Sequence, residues 1–243
     1  MKSKIFRFLR RIIGTEQLLK TQTEIRNFQL FRGAIQDCEW LKYKSFSAGG
    51  WAMDNAALYT LFRILNDVKP ENILEFGLGQ SSKMVHQYAT FTENVNALTI
   101  EHDNEWINFF CNGIQKDVNL NIRQFDMEMI KFNGHETLSY KNIDVITYVG
   151  GGGGYDLVIV DGPFGSDHYS RSQVINLVPQ GLSGMFCIFM DDSNRKGEME
   201  TISEICKKLN NEKIKYCIQH YDGEKINHTI ICSENLRFLT TLR

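Results

Sequence analysis

Four apolar segments of this chain end on carboxylates, and a fifth runs into a glycine turn; these five carry the chemistry. Residues 72 to 79 read Asn-Ile-Leu-Glu75-Phe-Gly77-Leu-Gly79. Residues 97 to 101 end on Glu101, and 120 to 126 on Asp126. Residues 155 to 163 run apolar into Asp161-Gly-Pro163, and 185 to 192 end in Asp191-Asp192. A Glu-x-Gly-x-Gly turn brings a backbone close to a ligand, and the unpaired N–H groups of the helix that follows, Ser81 among them, face whatever rests there. Glu101 stands 22 residues beyond Gly79, close to the ~20-residue separation at which an acid meets a ribose diol. Asp126 suits an adenine amino group. His168 is the first choice for proton removal, with Asp161 and Asp191 as further candidates, and Asp161, Asp191 and Asp192 together are a candidate oxygen set for a hard cation. Arg171 and Arg195 are candidates for an anionic substrate group, or for ion pairs with the clustered aspartates. Any one of these acids could simply cap the next helix. Four in succession beside Glu-x-Gly-x-Gly is more than folding asks for.

The elements that must position them alternate. A helical pattern over 54–65 stops at Pro70. Strand 72–76, helix 80–90, strand 96–101, helix 103–116 and strand 120–125 follow. Residues 127 to 154 read as a long irregular stretch ending in Gly150 to Gly154, a loop expected near the active edge. Then come strand 156–161, helix 171–178, strand 185–190, helix 195–210 and two strands near 213–220 and 226–232, close enough to pair across Asp222-Gly223. This order predicts an α/β, Rossmann-like, doubly wound, mainly parallel seven-stranded sheet with a C-terminal antiparallel hairpin strand, preceded by an N-terminal helical arm.

At 243 residues with 42% hydrophobic residues, the chain has the length and composition of one globular domain. Its charge is uneven. Residues 1 to 32 hold eight Lys/Arg and two Asp/Glu, +6, against −8 for the rest. Ile5, Leu9, Ile12 and Ile13 fall at helical spacing among Lys2, Arg7, Arg10 and Arg11, a pattern for packing on the body or a second copy, or for lying on an anionic membrane surface. The acidic body and a pI near 6.3 argue against nucleic acid as partner. Six cysteines without a Cys-x-x-Cys pair argue against zinc and for a reducing compartment. No apolar run reaches a membrane span and residues 1 to 13 make a poor signal peptide, so a cytoplasmic location, with peripheral attachment to the inner face of the membrane as an option, is expected.

On these motifs the chain resembles the class I S-adenosylmethionine-dependent methyltransferases over about residues 48 to 232. Ile73-Leu-Glu75-Phe-Gly77-Leu-Gly79 looks like their first motif, with Ser82 where a nicotinamide site prefers a third Gly or Ala. Gly50-Trp51-Ala52, Asp161-Gly-Pro163, Ser170-Arg171 and Asp191-Asp192-Ser-Asn-Arg195 resemble a bacterial and plant subgroup associated with methylating sugars and polysaccharides. The resemblance implies a basic arm over 1–45 and a methyltransferase domain over 46–243. It also implies a cofactor site at Glu75, Gly77, Gly79, Ser81, Glu101, Asp126 and Asp161, and O-methylation of a sugar, glycan or other small-molecule hydroxyl. Catechol-type relatives hold a metal on an Asp and an Asp-Asn pair; this chain departs from them at Asp192 and in Gly-Pro after Asp161. Two other readings stay open: a nucleic-acid methyltransferase, since Asp161-Gly-Pro-Phe164 partly imitates an amino-methylating motif, and a non-catalytic cofactor-binding scaffold in a glycan-assembly complex.

Overall fold

Alternating β-branched runs and amphipathic helices build one sheet with helices on both faces. The computed structural model describes residues 2–48, 52–143, 153–223 and 226–242, with only the backbone for 2–13 and 16. The elements are α1 (Lys2–Ile35), α2 (Asn55–Arg63), β1 (Asn72–Phe76), α3 (Gln80–Phe91), β2 (Asn96–Glu101), α4 (Asn104–Gly113), β3 (Ile122–Gln124), β4 (Met127–Phe132), β5 (His135–Tyr140), β6 (Tyr155–Val160), β7 (Leu182–Met190), α5 (Lys196–Asn211), β8 (Tyr216–Tyr221) and β9 (His228–Ser233). The seven-stranded sheet has the order β3-β2-β1-β6-β7-β9-β8. All its strands are parallel except β9, which runs antiparallel between β7 and β8.

Period-two burial sorts each strand between two cores. Ile73, Leu157, Phe189 and Ile230 face α2, α3 and the end of α1, whereas Leu74, Phe76, Val160, Ile188 and Ile231 face α5. Cys187 and Cys232 sit opposite each other in this interior as buried free thiols, acting as small hydrophobes. Phe31, Ile35 and Leu41 belong to the first core, so the arm joins the body through the last turns of α1. Before those turns Leu18, Leu19 and Ile25 are exposed. Among the described residues no helix is long and apolar enough to cross a membrane.

Two stretches differ from expectation. Residues 127 to 140, expected to be irregular, form the β4–β5 hairpin in a separate two-stranded sheet. Its turn is Asn133-Gly134, both at positive φ (48° and 84°), as a two-residue type I′ turn requires. The expected helix 171–178 is a shorter 3-10 segment, Ser172–Leu177. It is entered from a left-handed Arg171 (φ 61°) and followed by Pro179, so no α-helical turn can extend either way. Trp51 and Gly150–Gly152 lie outside the described residues.

Candidate active site

The sheet reverses its winding between β1 and β6, and a cleft of about 660 Å³ opens at the carboxyl ends of these strands. Ligands of open α/β sheets bind at such a switch point. One wall is the β1 turn (Gly77 to Gln80) with Glu101, His102, Asp103 and Trp106. The other is Asp161 to Gly165 with Arg171, Asp191, Asp192 and Arg195; Tyr140, Ala52 and Ile226 close it.

Glycine is needed in the first turn for two different reasons. Gly77 has φ +93°, and a Cβ on it would stand 2.9 Å from the backbone N of Gly162, so the turns after β1 and β6 touch there. Gly79 is extended (φ −161°), and a Cβ on it would meet no protein atom within 4 Å. Neither backbone strain nor protein packing demands glycine at 79; what glycine does there is keep the cleft open.

Glu101 ends β2 inside this space. Its Oε1 accepts the N–H groups of His102 (2.7 Å) and Asp103 (3.0 Å), and Oε2 accepts that of Leu78 (3.0 Å). A carboxylate offers about four acceptor sites, so Oε2 keeps one for a hydroxyl donor. The capping role that an acid here might have filled falls to Asp103, which accepts from Glu105 and Trp106 at the start of α4. Trp106 in turn donates its indole N–H to Leu78 O (2.7 Å), pinning α4 to the turn.

Glu75 lies beneath the turn and does not line the cleft. It is fully buried, accepts from Thr99 Oγ1 (2.7 Å), and Thr99 meets His86 Nε2 at 3.0 Å. Burial pushes the Glu75 carboxyl up to about 7, opposed by the Ser81, Thr99 and Ser82 hydroxyls, and pushes His86 down to about 4. Ser81 is also buried in this layer, while Ser82 Oγ accepts the N–H of Gly79 (2.9 Å). Glu75 and Ser81 therefore support the turn from below. Asp126, beyond β3, is bonded by Gln124 Nε2 (3.1 Å) and is also absent from the cleft wall.

The second wall is a charge network. Asp161 has a fifth of its side chain exposed. Burial pushes its carboxyl up to about 7, with Arg171 pulling it down and Asp192 pushing it further up. Asp191 is raised well above the usual range by burial and by its neighbours Asp161 and Asp192. Asp192 Oδ2 receives Arg171 Nη2 (2.7 Å) and Arg195 Nη1 (2.8 Å).

Of the two readings offered for Arg171, the ion pair with the clustered aspartates is the one formed: its side chain is 4% exposed, and its guanidinium is engaged by protein groups. The half-exposed Arg195 is the guanidinium at the cleft surface. Asp161, Asp191 and Asp192, expected as metal ligands, do not form such a set: among the described residues no group of three His, Cys, Asp or Glu is arranged to hold a metal ion. A guanidinium lies among them instead, so the donor set does not fit a divalent cation. His168 stands outside the cleft wall. Its Nδ1 meets Glu200 at 3.0 Å, its Nε2 meets Lys196 at 3.1 Å, and its ring stacks on His135 at 3.9 Å.

Sequence reasoning missed Trp106, His102, Phe164 and Tyr140. Trp106 had a signal, an aromatic residue in the first helical turn after an acid-ended strand. Tyr140, stacked on Phe76 at 6.1 Å, had one only through the Asn133-Gly134 hairpin that carries it.

No family model and no curated protein matches the chain. Solved structures do. An O-methyltransferase from Bacillus cereus, in complex with SAH, aligns over 85% of this chain and 91% of its own at 11% identity and a TM-score of 0.52. The O-methyltransferase TomG from Streptomyces achromogenes, involved in tomaymycin synthesis and in complex with SAM, aligns over 84% of this chain and 89% of its own at 11% identity and a TM-score of 0.51. At such identity the likeness is one of fold: a Rossmann-like methyltransferase fold.

Proposed function

We propose that the cleft binds S-adenosylmethionine and that the protein is an O-methyltransferase acting on a sugar, glycan or other small-molecule hydroxyl. The observation that carries this reading is the meeting of Glu101 with the Gly77-Leu78-Gly79 turn at the switch point. There a carboxylate keeps one free acceptor beside a glycine that leaves the cleft open. Glu101 suits a ribose hydroxyl, and Trp106 and His102 flank it with flat rings.

S-adenosylmethionine supplies a methyl group on a positively charged sulfur. Asp161, with its carboxyl near 7, is the group at the cleft floor suited to take the acceptor's proton. At neutral pH a sizeable fraction is ionised, yet it is a stronger base than an ordinary aspartate. As the acceptor oxygen gains the methyl, its proton passes to Asp161 and then to water. The walls contribute alignment, since an in-line displacement gains most from holding its partners close. Asp161 is preferred to His168 because it lines the cleft and His168 does not. The sugar or glycan class rests on the resemblance of Asp161-Gly-Pro163, Ser170-Arg171 and Asp191-Asp192-Ser-Asn-Arg195 alone.

A transfer assay with labelled S-adenosylmethionine against extracted glycans, nucleotide sugars and nucleic acid tests the reading. Label in base-stable ether linkages on sugars is expected. Label in nucleic acid only would replace the acceptor class, and no transfer to any hydroxyl acceptor would favour a scaffold.

A further inference from the structure

Of the three aspartates that the sequence offers as a metal site, two carboxylates, Asp161 and Asp192, and the backbone carbonyl of Asp191 face a side chain already carrying positive charge. We propose that Arg171 is the resident cation of this acid pocket, standing where a divalent metal would have to stand and holding Asp161 in place. The chemistry of the cleft is then independent of divalent cations.

The geometry is specific to a guanidinium. Arg171 Nη2 lies 2.7 Å from Asp192 Oδ2 and 3.5 Å from Asp161 Oδ1, and Nε lies 3.8 Å from Glu198 Oε1. Its Nη1 donates to Val160 O (3.3 Å) and Asp191 O (3.0 Å), and Nε donates to Pro163 O (3.3 Å). One side chain thus ties the end of β6, the end of β7 and the turn after Asp161. Five N–H donors in a fixed fork can do this; a lysine ammonium, with three donors at one point, cannot. A hard cation seeks six or more oxygens. Here Asp192 Oδ2 and the carbonyl oxygens of Val160, Pro163 and Asp191 already accept from Arg171, which also stands 3.5 Å from Asp161 Oδ1, and Arg195 holds the same Asp192 oxygen from the cleft side at 2.8 Å. A dication would meet two guanidinium charges.

The backbone agrees. Arg171 (φ 61°) and Asp192 (φ 57°) both take the left-handed conformation, which non-glycine residues seldom adopt unless their surroundings impose it. Both residues of the ion pair are buried. Arg171 is therefore a positioning residue: it touches no reacting atom and acts through Asp161. The base role of Asp161 rests on the methyl-transfer reading above, but the cation assignment does not.

Carboxyl ¹³C NMR on the full chain tests this. Mn²⁺ in about tenfold molar excess should leave the Asp161, Asp191 and Asp192 signals of the wild type unbroadened, since the Arg171 guanidinium already stands between Asp161 and Asp192. Broadening of all three at stoichiometric Mn²⁺ overturns the proposal. In Arg171→Gln the Asp161 titration midpoint should rise by about one pH unit or more, and added guanidinium ion should return part of that rise. An unchanged midpoint in a folded variant also overturns it. If Arg171→Gln does not fold, Asp192→Asn serves: it removes a negative neighbour, so the midpoint must fall, and a midpoint that stays put counts against the network. Failure to bind S-adenosylhomocysteine would sink the methyl-transfer reading and leave these results standing.

Discussion

The two walls of the cleft are built on opposite principles. The β1–β2 wall is made of backbone: N–H groups of Leu78, His102 and Asp103 converge on one carboxylate, Glu101, and a glycine leaves the space beside it. The β6–β7 wall is made of side chains, with Asp161, Asp191 and Asp192 set against Arg171 and Arg195. The first wall is a fixed mould, suited to one invariant ligand. The second is a set of coupled charges in which any one change is felt by the others, and proton transfer is the chemistry such a wall can tune. On the proposed methyl-transfer reading, donor binding belongs to the first wall and acceptor chemistry to the second, and substitutions should separate them.

The largest expected effect falls on the second wall. Asp161→Asn should lower turnover by about 10²- to 10⁴-fold, the usual contribution of a general base, while S-adenosylhomocysteine affinity stays within about threefold, less than the energy of one hydrogen bond. Equal loss of both would erase the distinction between the walls. Wild-type turnover at limiting acceptor should rise with pH through about 7, because Asp161 must lose its proton to act; a rate that falls over this range removes Asp161 from the role.

Beneath the first wall, Glu75 has a linkage of its own. Its folded pKa of about 7 exceeds the ordinary 4.5. Between these values the folded state keeps a proton that the unfolded chain releases, so its contribution to stability declines as pH rises through that window. Glu75→Gln should therefore be more stable than wild type at pH 8 relative to pH 5, by on the order of 3 kcal/mol. Denaturant titration at the two pH values reads this, and a constant difference refutes it.

Glu101→Gln should weaken S-adenosylhomocysteine binding by about 10- to 100-fold, the loss of a hydrogen bond to a charged acceptor. Calorimetry would show it, and unchanged affinity would take Glu101 out of the ribose site. The smallest effect is expected at His168, whose ring is engaged by Glu200 and Lys196 away from the cleft. His168→Ala should change turnover by less than about threefold, below the range expected for loss of a general base.

The same division governs what the sequence made legible. The Glu75-to-Gly79 turn, Glu101 and the acid ends of β6 and β7 follow from short-range patterns: strand, punctuation, helix start. Their positions at the sheet edge could be read directly. The choice between the two roles open to Arg171, and the place of His168, could not, because they depend on which groups meet 21 and 32 residues apart in the chain. Arg171 turned inward to Asp192 and His168 turned outward to Glu200. The β4–β5 hairpin was legible in principle from Asn133-Gly134, but the mixed polar and apolar residues around that turn masked its strand period. With it Tyr140 was missed. The oxygens of Glu101 and Asp161 share a cleft, yet only the fold shows that Asp103 relieves Glu101 of the capping role.

One titration bears most directly on the central claim. Calorimetry of the wild-type chain with S-adenosylhomocysteine, and separately with NAD, asks what the Gly77-Leu78-Gly79 turn and Glu101 hold. One-to-one binding of S-adenosylhomocysteine with no comparable NAD binding is the predicted result. Binding of NAD in preference to S-adenosylhomocysteine would contradict the account.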